Sequence, residues 1–408
     1  MKKALLISGV AALAIYLAGR LLQLKQSPLA DFMQRLSILS LLVFLFLLLI
    51  TKSSGISAVD GIRKAFRYFR YAVLLSIGVF LWMVFVPRHY GSPMRLPRAG
   101  TRYWDLPDGS RIAYTLVPGK GSRKPSPIIF LQGGPGGPIG DGNIRMLEPF
   151  AAQGYDVYLY DQIGCGFSGR LKDIREYTAD RHKKDLEQIV AAIGVEKVIL
   201  IGQSWGAILA VLYAADNPGK VEKMILTGPG PIMPIHRQLA NVKAPDSFHL
   251  HEPYYSNAQG NREAYNVRTR FMAFCALNFG IKLASDEESD DFGSYLNTLV
   301  DRSTVADTAR LRDAKPYSSG VGFYAQLMTA ASFPRLQDPR PKLKNSTIPI
   351  LVMKGQYDNQ RWGYTHEYLD LFPHHRLVVV PKAGHSISSE QPEVYRRTIS
   401  DFLDSPEL

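Results

Sequence analysis

Apolar residues follow two different rhythms along this chain. Up to Pro87 they come in three unbroken runs, Ala4 to Gly19, Leu36 to Ile50 and Tyr71 to Val86, each nearly free of charge. Runs of roughly 15 to 17 residues fall just short of the ~20 that cross a bilayer core, so flanking cations must snorkel to the surface. Arg20, Arg35, Lys52 and Arg70 stand where that is needed. Three such runs in succession, with almost no polar face, read as transmembrane helices rather than as a soluble bundle. From Thr101 the rhythm changes to short apolar runs alternating with helical periodicity, the pattern of a mostly parallel sheet covered by helices.

Thr101 to Leu106 and Arg111 to Val117 flank the turn signal Pro107-Asp108-Gly109 and predict an antiparallel hairpin. Further strands are expected at Pro127 to Leu131, Asp156 to Tyr160, Lys197 to Ile201, Met224 to Leu226, Ile348 to Met353 and Arg376 to Val380. Helices are expected at Thr178 to Ile193 and Trp205 to Asn217. More than a hundred residues separate the strand at Met224 from the one at Ile348 without that rhythm. A connection so long needs structure of its own, and residues 233–345 read as an inserted helical lid. The division expected is a membrane anchor of about three transmembrane helices over 1–87, a core over 88–232 and 346–408, and the lid between the two core segments.

Charge changes the picture of the first part more than of the second. Of the net +12, residues 1–87 carry +8, from ten Lys and Arg against Asp31 and Asp60. Lys2, Lys3 and the five cations between Thr51 and Arg70 place those segments on the cytoplasmic side. Everything after Pro87 is then extracytoplasmic, in a membrane-bound protein. Reading residues 1–18 as a cleaved signal peptide leaves the globular part outside as well. Arg63 to Arg70, which mixes basic and aromatic residues, suits a short helix lying on an anionic membrane surface. The globular part is only mildly basic and has no nucleic-acid-binding signature, which excludes nucleic acid as a partner. Cys165 and Cys275 form neither a disulfide framework nor a zinc site, and His249-x-His251 lacks a third ligand and reads as a lid loop.

Lys197 to Gly206 is a β-branched strand running through G-x-S-x-G into an Ala- and Leu-rich helix. Two glycines permit a sharp turn that lifts Ser204 above the sheet, against the positive end of the helix that follows. A serine hydroxyl is a poor nucleophile until a base takes its proton, and the base needs an acid to orient it. Asp358, in Gly355-Gln356-Tyr357-Asp358, and His385, in Ala383-Gly384-His385-Ser386, follow the last two strands in the required order. Alone they would read as a capping aspartate and a surface histidine. Together they make Asp358 the orienting acid and His385 the general base. The oxyanion of a tetrahedral intermediate needs backbone N–H donors. Trp205, directly after the nucleophile, and Gly134, in the glycine-rich loop Gln132 to Pro138, are the candidates. There is no Walker lysine to make that loop a phosphate cradle. This chemistry needs no metal or organic cofactor.

These motifs resemble those of the proline iminopeptidase-like serine peptidases, a group with the α/β-hydrolase fold. Gly133-Gly134-Pro135-Gly136 is similar to the group's H-G-G-P-G, and Asp161 to Ser168 to its D-Q-R-G-x-G-x-S. Gly202 to Gly206 matches G-x-S-W-G, and Gly384-His385-Ser386 matches G-H-S. Gln132 stands where the loop histidine is expected, and Ile163 where the arginine is. The resemblance, which covers about residues 101–403, implies cleavage of an amide at a peptide N-terminus, with lid acids receiving the substrate's amino group. The leading expectation is therefore a membrane-anchored aminopeptidase acting on small peptides through an acyl-enzyme, with membrane lipids around its N-terminal helices. An esterase or lipase acting on small esters uses the same residues. A non-catalytic receptor or scaffold would not need them.

Overall fold

The pattern that begins at Thr101 folds into a single eight-stranded sheet. The structure, a computed structural model, describes residues 58–98, 100–307 and 317–405. The apolar runs at Ala4 and Leu36 lie outside the described residues. Helix α1 (Ala58–Phe85) comes first, followed by the hairpin β1 (Arg102–Asp105) and β2 (Arg111–Val117). Then come β3 (Ile128–Leu131), α2 (Asp141–Ala152), β4 (Val157–Tyr160), α3 (Ala179–Ile193), β5 (Val198–Gln203), α4 (Trp205–Asp216) and β6 (Val221–Thr227). Among the described residues the insertion holds α5 (Asn257–Ala264), α6 (Val267–Phe279), α7 (Asp286–Val300) and α8 (Phe323–Ser332), with one further helical turn at Arg340–Leu343. The chain closes with β7 (Ile350–Gly355), α9 (Trp362–Leu371), β8 (His375–Val380), α10 (Ile387–Glu390) and α11 (Pro392–Leu403).

Strand order is β1-β2-β4-β3-β5-β6-β7-β8, antiparallel through β1, β2 and β4 and parallel from there on. The central strands are apolar without alternation because helices cover both faces. On one face Ile128, Phe130, Ile199, Ile201, Ile225 and Leu351 pack with Leu147 and Phe150 of α2 and Ile399 and Phe402 of α11, all fully or almost fully buried. Helix α4 is buried from Trp205 to Ala215, which explains why it carries no charge before Asp216. Leu131 pairs with Gly202, Gln203 with Thr227 and Gly355 with Val380, so the parallel strands end along one edge. The loops leaving that edge carry the residues singled out above.

The chain divides into two compact units. Of the described residues, one takes in those up to Arg88 together with Asn266–Phe279, and the other those of His89–Tyr265 and Gly280–Leu408. The stretch Phe66–Phe85 of α1 is one 20-residue apolar segment, long enough by length and composition to cross a membrane and little of it buried inside the protein. Arg63 to Arg70, anticipated as a separate surface helix, is continuous with this segment in one 28-residue helix. Helix α6, counted with the lid in the sequence, packs on α1: the Phe80 and Phe271 rings meet edge to face at 6.2 Å, and Arg268 donates to the Val84 carbonyl near the C-terminus of α1.

Candidate active site

Ser204 sits between β5 and α4 with φ at 55°, a left-handed conformation that a non-glycine residue adopts only when its surroundings enforce it. The enforcing contact is the approach of helix to strand. A Cβ on Gly206 would lie 1.9 Å from the Leu131 carbonyl oxygen, and one on Gly202 would lie 2.5 Å from the Gly206 oxygen. Ser204 N–H donates to Thr227 O at 3.0 Å, fixing the turn to the end of β6.

His385 and Asp358 meet as the sequence order requires. The ring Nδ1 lies 2.8 Å from Asp358 Oδ1, and both side chains are buried. Asp358 Oδ1 also accepts from Gln360 N–H at 3.0 Å. The two loops lie backbone on backbone: Tyr357 N–H donates to Ala383 O at 2.8 Å, and a Cβ on Gly355 would lie 2.0 Å from the Gly384 oxygen. Gly228, directly after the Thr227 that holds Ser204, faces the imidazole; a Cβ there would lie 2.7 Å from His385 Nδ1. One residue of backbone thus separates the serine's anchor from the ring. Ser204 Oγ makes no hydrogen bond among the described residues. Such contacts commonly tighten only once substrate is bound.

Burial alone would raise the Asp358 carboxyl. The Lys354 ammonium, the His385 ring and the Gln360 N–H outweigh it and bring the group down to about 2. Lys354 lies on β7 with its Nζ 3.3 Å from Asp358 Oδ2, and was not singled out in the sequence because it interrupts an otherwise apolar strand with no motif around it.

The glycine-rich loop after β3 runs beside the serine. A Cβ on Gly133 would lie 3.3 Å from Ser204 Cβ. Gly134 has φ at 126° and could carry no side chain, since its Cβ would strike Gly137 N at 2.8 Å. Neither the Gly134 N–H nor the Trp205 N–H finds an acceptor among the described residues; the latter opens α4 and has no intrahelical partner. Gln132 bonds within its own loop: its Oε1 accepts from Gly133 N–H at 3.1 Å and its Nε2 donates to Pro138 O at 3.3 Å. Gln162 ties three parts together. Its Oε1 accepts from Gly136 N–H and from the Trp205 indole, each at 3.2 Å, and its Nε2 donates to Gln132 O at 2.9 Å.

Ile163 stands where the resemblance led one to expect an arginine, and two guanidinium groups reach the nearby Asp161 from the segment ahead of β1. Arg98 Nη2 lies 3.5 Å and Arg95 Nη2 3.6 Å from the fully buried Asp161 carboxylate. Both arginines also donate to the Ile139 carbonyl, whose own N–H donates to Asp161 at 2.7 Å. Cys165 and Cys275 are free, and burial pushes the Cys165 thiol far up, which removes it as a nucleophile.

The lid reaches this site through residues the sequence did not mark. Ser386 N–H donates to Thr304 O at 2.8 Å, and the buried Glu390 carboxylate accepts from Ala306 N–H at 2.9 Å and Gly384 N–H at 2.6 Å. Asp301, three residues before Thr304, is close enough to act electrostatically on His385 and accepts from the Tyr317 hydroxyl.

Comparison with known proteins agrees with this fold. The family model for the alpha/beta hydrolase fold matches residues 126–392. A proline iminopeptidase of Saccharolobus solfataricus is 37% identical over 303 residues, covering 72% of this chain and 90% of that protein. A proline iminopeptidase of Heyndrickxia coagulans is 28% identical over 306 residues, covering 73% of this chain and 96% of the relative. An alpha/beta fold family hydrolase from Bacillus anthracis superposes with a TM-score of 0.50 at 21% identity, over 74% of this chain and 98% of that one.

Replacing Asp161 by Asn leaves two arginines facing a neutral group in a buried setting. A loss of about 3 to 5 kcal/mol is expected in chemical denaturation, as for other broken buried ion pairs. A loss below about 1 kcal/mol would show that the two guanidinium groups do not depend on this carboxylate.

Proposed function

This chain belongs to the alpha/beta hydrolase family, and from that premise we propose that it is a membrane-tethered serine aminopeptidase cleaving N-terminal residues from small peptides. The observation that carries the reading is the Ser204 turn anchored to Thr227, whose neighbour Gly228 faces an imidazole bonded to a buried carboxylate. His385 takes the Ser204 proton as Oγ attacks the scissile carbonyl carbon. Asp358 holds the ring so that Nε2 faces the serine, and its charge stabilises the imidazolium. The Gly134 and Trp205 N–H groups receive the oxyanion. His385 then gives its proton to the leaving amine, and water releases the acyl group by the same steps in reverse.

Aminopeptidase rather than general esterase activity is supported by relatives named proline iminopeptidase whose lengths this chain covers almost completely. Asp301 gives that specificity a chemical form. It is a carboxylate of the insertion close enough to His385 to act on it electrostatically, and on this reading it pairs with the charged amino group of a peptide N-terminus. Burial pushes its carboxyl up to about 6, opposed by the Tyr317 hydrogen bond and the His385 charge. Its negative charge is therefore present above about pH 6 and lost below. Tethering rests on the apolar stretch Phe66–Phe85, whose length suits a bilayer.

Three outcomes are expected. Ser204→Ala and His385→Ala should each lower turnover of N-terminal prolyl or alanyl amides by several powers of ten, and Asp358→Asn by about 10⁴. Retained activity in either alanine variant contradicts the assignment, and turnover of short-chain esters without any amide turnover contradicts the peptidase reading. Asp301→Asn should raise KM for free-amine substrates by roughly 10- to 100-fold, the worth of a hydrogen bond to a charged group, with kcat changed less. In the wild type that KM should climb as pH falls through about 6, and a KM indifferent to both changes removes Asp301 from substrate recognition. Washing membranes with alkaline carbonate should leave the chain in the pellet, and its release into the supernatant would count against a spanning α1.

A further inference from the structure

Lys354 is a lysine almost wholly removed from solvent, on β7, a strand next to the sheet's edge whose other residues are apolar or glycine. A buried ammonium is costly unless paired and hydrogen-bonded. Its Nζ donates to Gln360 O at 2.7 Å and stands 3.3 Å from Asp358 Oδ2. That oxygen receives no hydrogen bond among the described residues, so the pairing with Asp358 is one of charge rather than of a directed bond. The other carboxylate oxygen faces His385 Nδ1. Cation, carboxylate and imidazole therefore stand in a row, with the carboxylate shared between the other two.

We propose that Lys354 is a positioning residue which keeps Asp358 ionised and, by sharing its charge, keeps the His385 imidazole available as a base under mildly acidic conditions. The inference rests on the roles given above to Ser204, His385 and Asp358. A desolvated carboxylate with no cation behind it would draw a proton strongly, either onto itself or onto the imidazole, and in both forms the base is lost. The ammonium offsets that pull from the side remote from substrate. The remaining charged or titratable groups around the pair do not replace it. Asp301, with Tyr317 bonded to it, adds negative charge on the lid side; Glu390 is occupied by the Gly384 and Ala306 N–H groups; and the His251 ring stacks on Tyr357 at 4.8 Å.

The competing account is that Lys354 merely closes its loop through Gln360 O. Two neutral variants separate the accounts: Lys354→Gln keeps a donor but loses the charge, while Lys354→Met loses both. The readout is the second-order rate at which a fluorophosphonate labels Ser204 as a function of pH, which requires no knowledge of the natural substrate. If the charge matters, the acid limb of both variants moves to higher pH by roughly one to two units, the size expected when a nearby charge is removed at an effective dielectric of about 20. Lys354→Arg, which keeps a cation, should stay with the wild type. Where Lys354→Gln fails to fold, as judged by its thermal transition, Lys354→Met carries the same reading. A folded neutral variant whose acid limb coincides with that of the wild type overturns the proposal, even if its melting temperature is lower. Failure of the wild type itself to label at Ser204 is a different result, and overturns the hydrolase mechanism on which the proposal stands.

Discussion

The buried hydrogen bond between His385 Nδ1 and Asp358 Oδ1, 2.8 Å long, sets the terms for much of the surrounding structure. Its partners are 27 residues apart and leave the ends of different strands, so two loops must meet backbone to backbone. Gly355 and Gly384 make that approach sterically possible, and Gly228 leaves the volume that the imidazole fills. A carboxylate buried this deeply is unfavourable unless its charge is answered. The answers come from the ring, from the Gln360 N–H and from Lys354 one turn of loop away.

Other constraints act on the parts that surround this pair. The glycine-rich loop beside Ser204 is secured at both ends, by Gln162 and by the buried Asp161 with its two arginines. Those arginines precede the first strand, so the segment ahead of the sheet contributes to the interior of the core. The lid's return segment is fastened to the His385 loop through Thr304 and Glu390. The imidazole is consequently framed by its own strand end, by the Asp358 loop and by the insertion, and the proposed amine-binding Asp301 belongs to the last of these.

All eight strands were legible: β3, β5 and β7 as apolar runs buried on both faces, and the more exposed hairpin β1–β2 from the turn signal between its strands. Ser204, Asp358 and His385 were proposed from the sequence because each lies in a short motif at a strand end, and the structure brings the last two into contact. What local pattern could not supply was pairing in space. The order of β4 and β3 and the antiparallel entry through β2 depend on contacts between distant segments. Lys354 was hidden because a cation among apolar residues gives no hint of which carboxylate it will face. Arg95 and Arg98 were hidden because ion pairs across more than sixty residues leave no periodicity. Helix α6 was assigned to the lid from its place in the chain, whereas its Phe271 and Arg268 pack on α1. Arg63 to Arg70 looked like a separate surface helix because composition changes there, but backbone helicity does not.

The central claim is that one alcohol, one imidazole and two backbone N–H groups converge on a single reacting carbonyl. A crystal structure of the protein after reaction with a fluorophosphonate tests it most directly. The account predicts phosphorus bonded to Ser204 Oγ, a phosphonyl oxygen accepting from both the Gly134 and Trp205 N–H groups at about 2.7 to 3.1 Å, and His385 Nε2 turned toward Oγ. An adduct on another residue, or a phosphonyl oxygen directed away from both N–H groups, would contradict it.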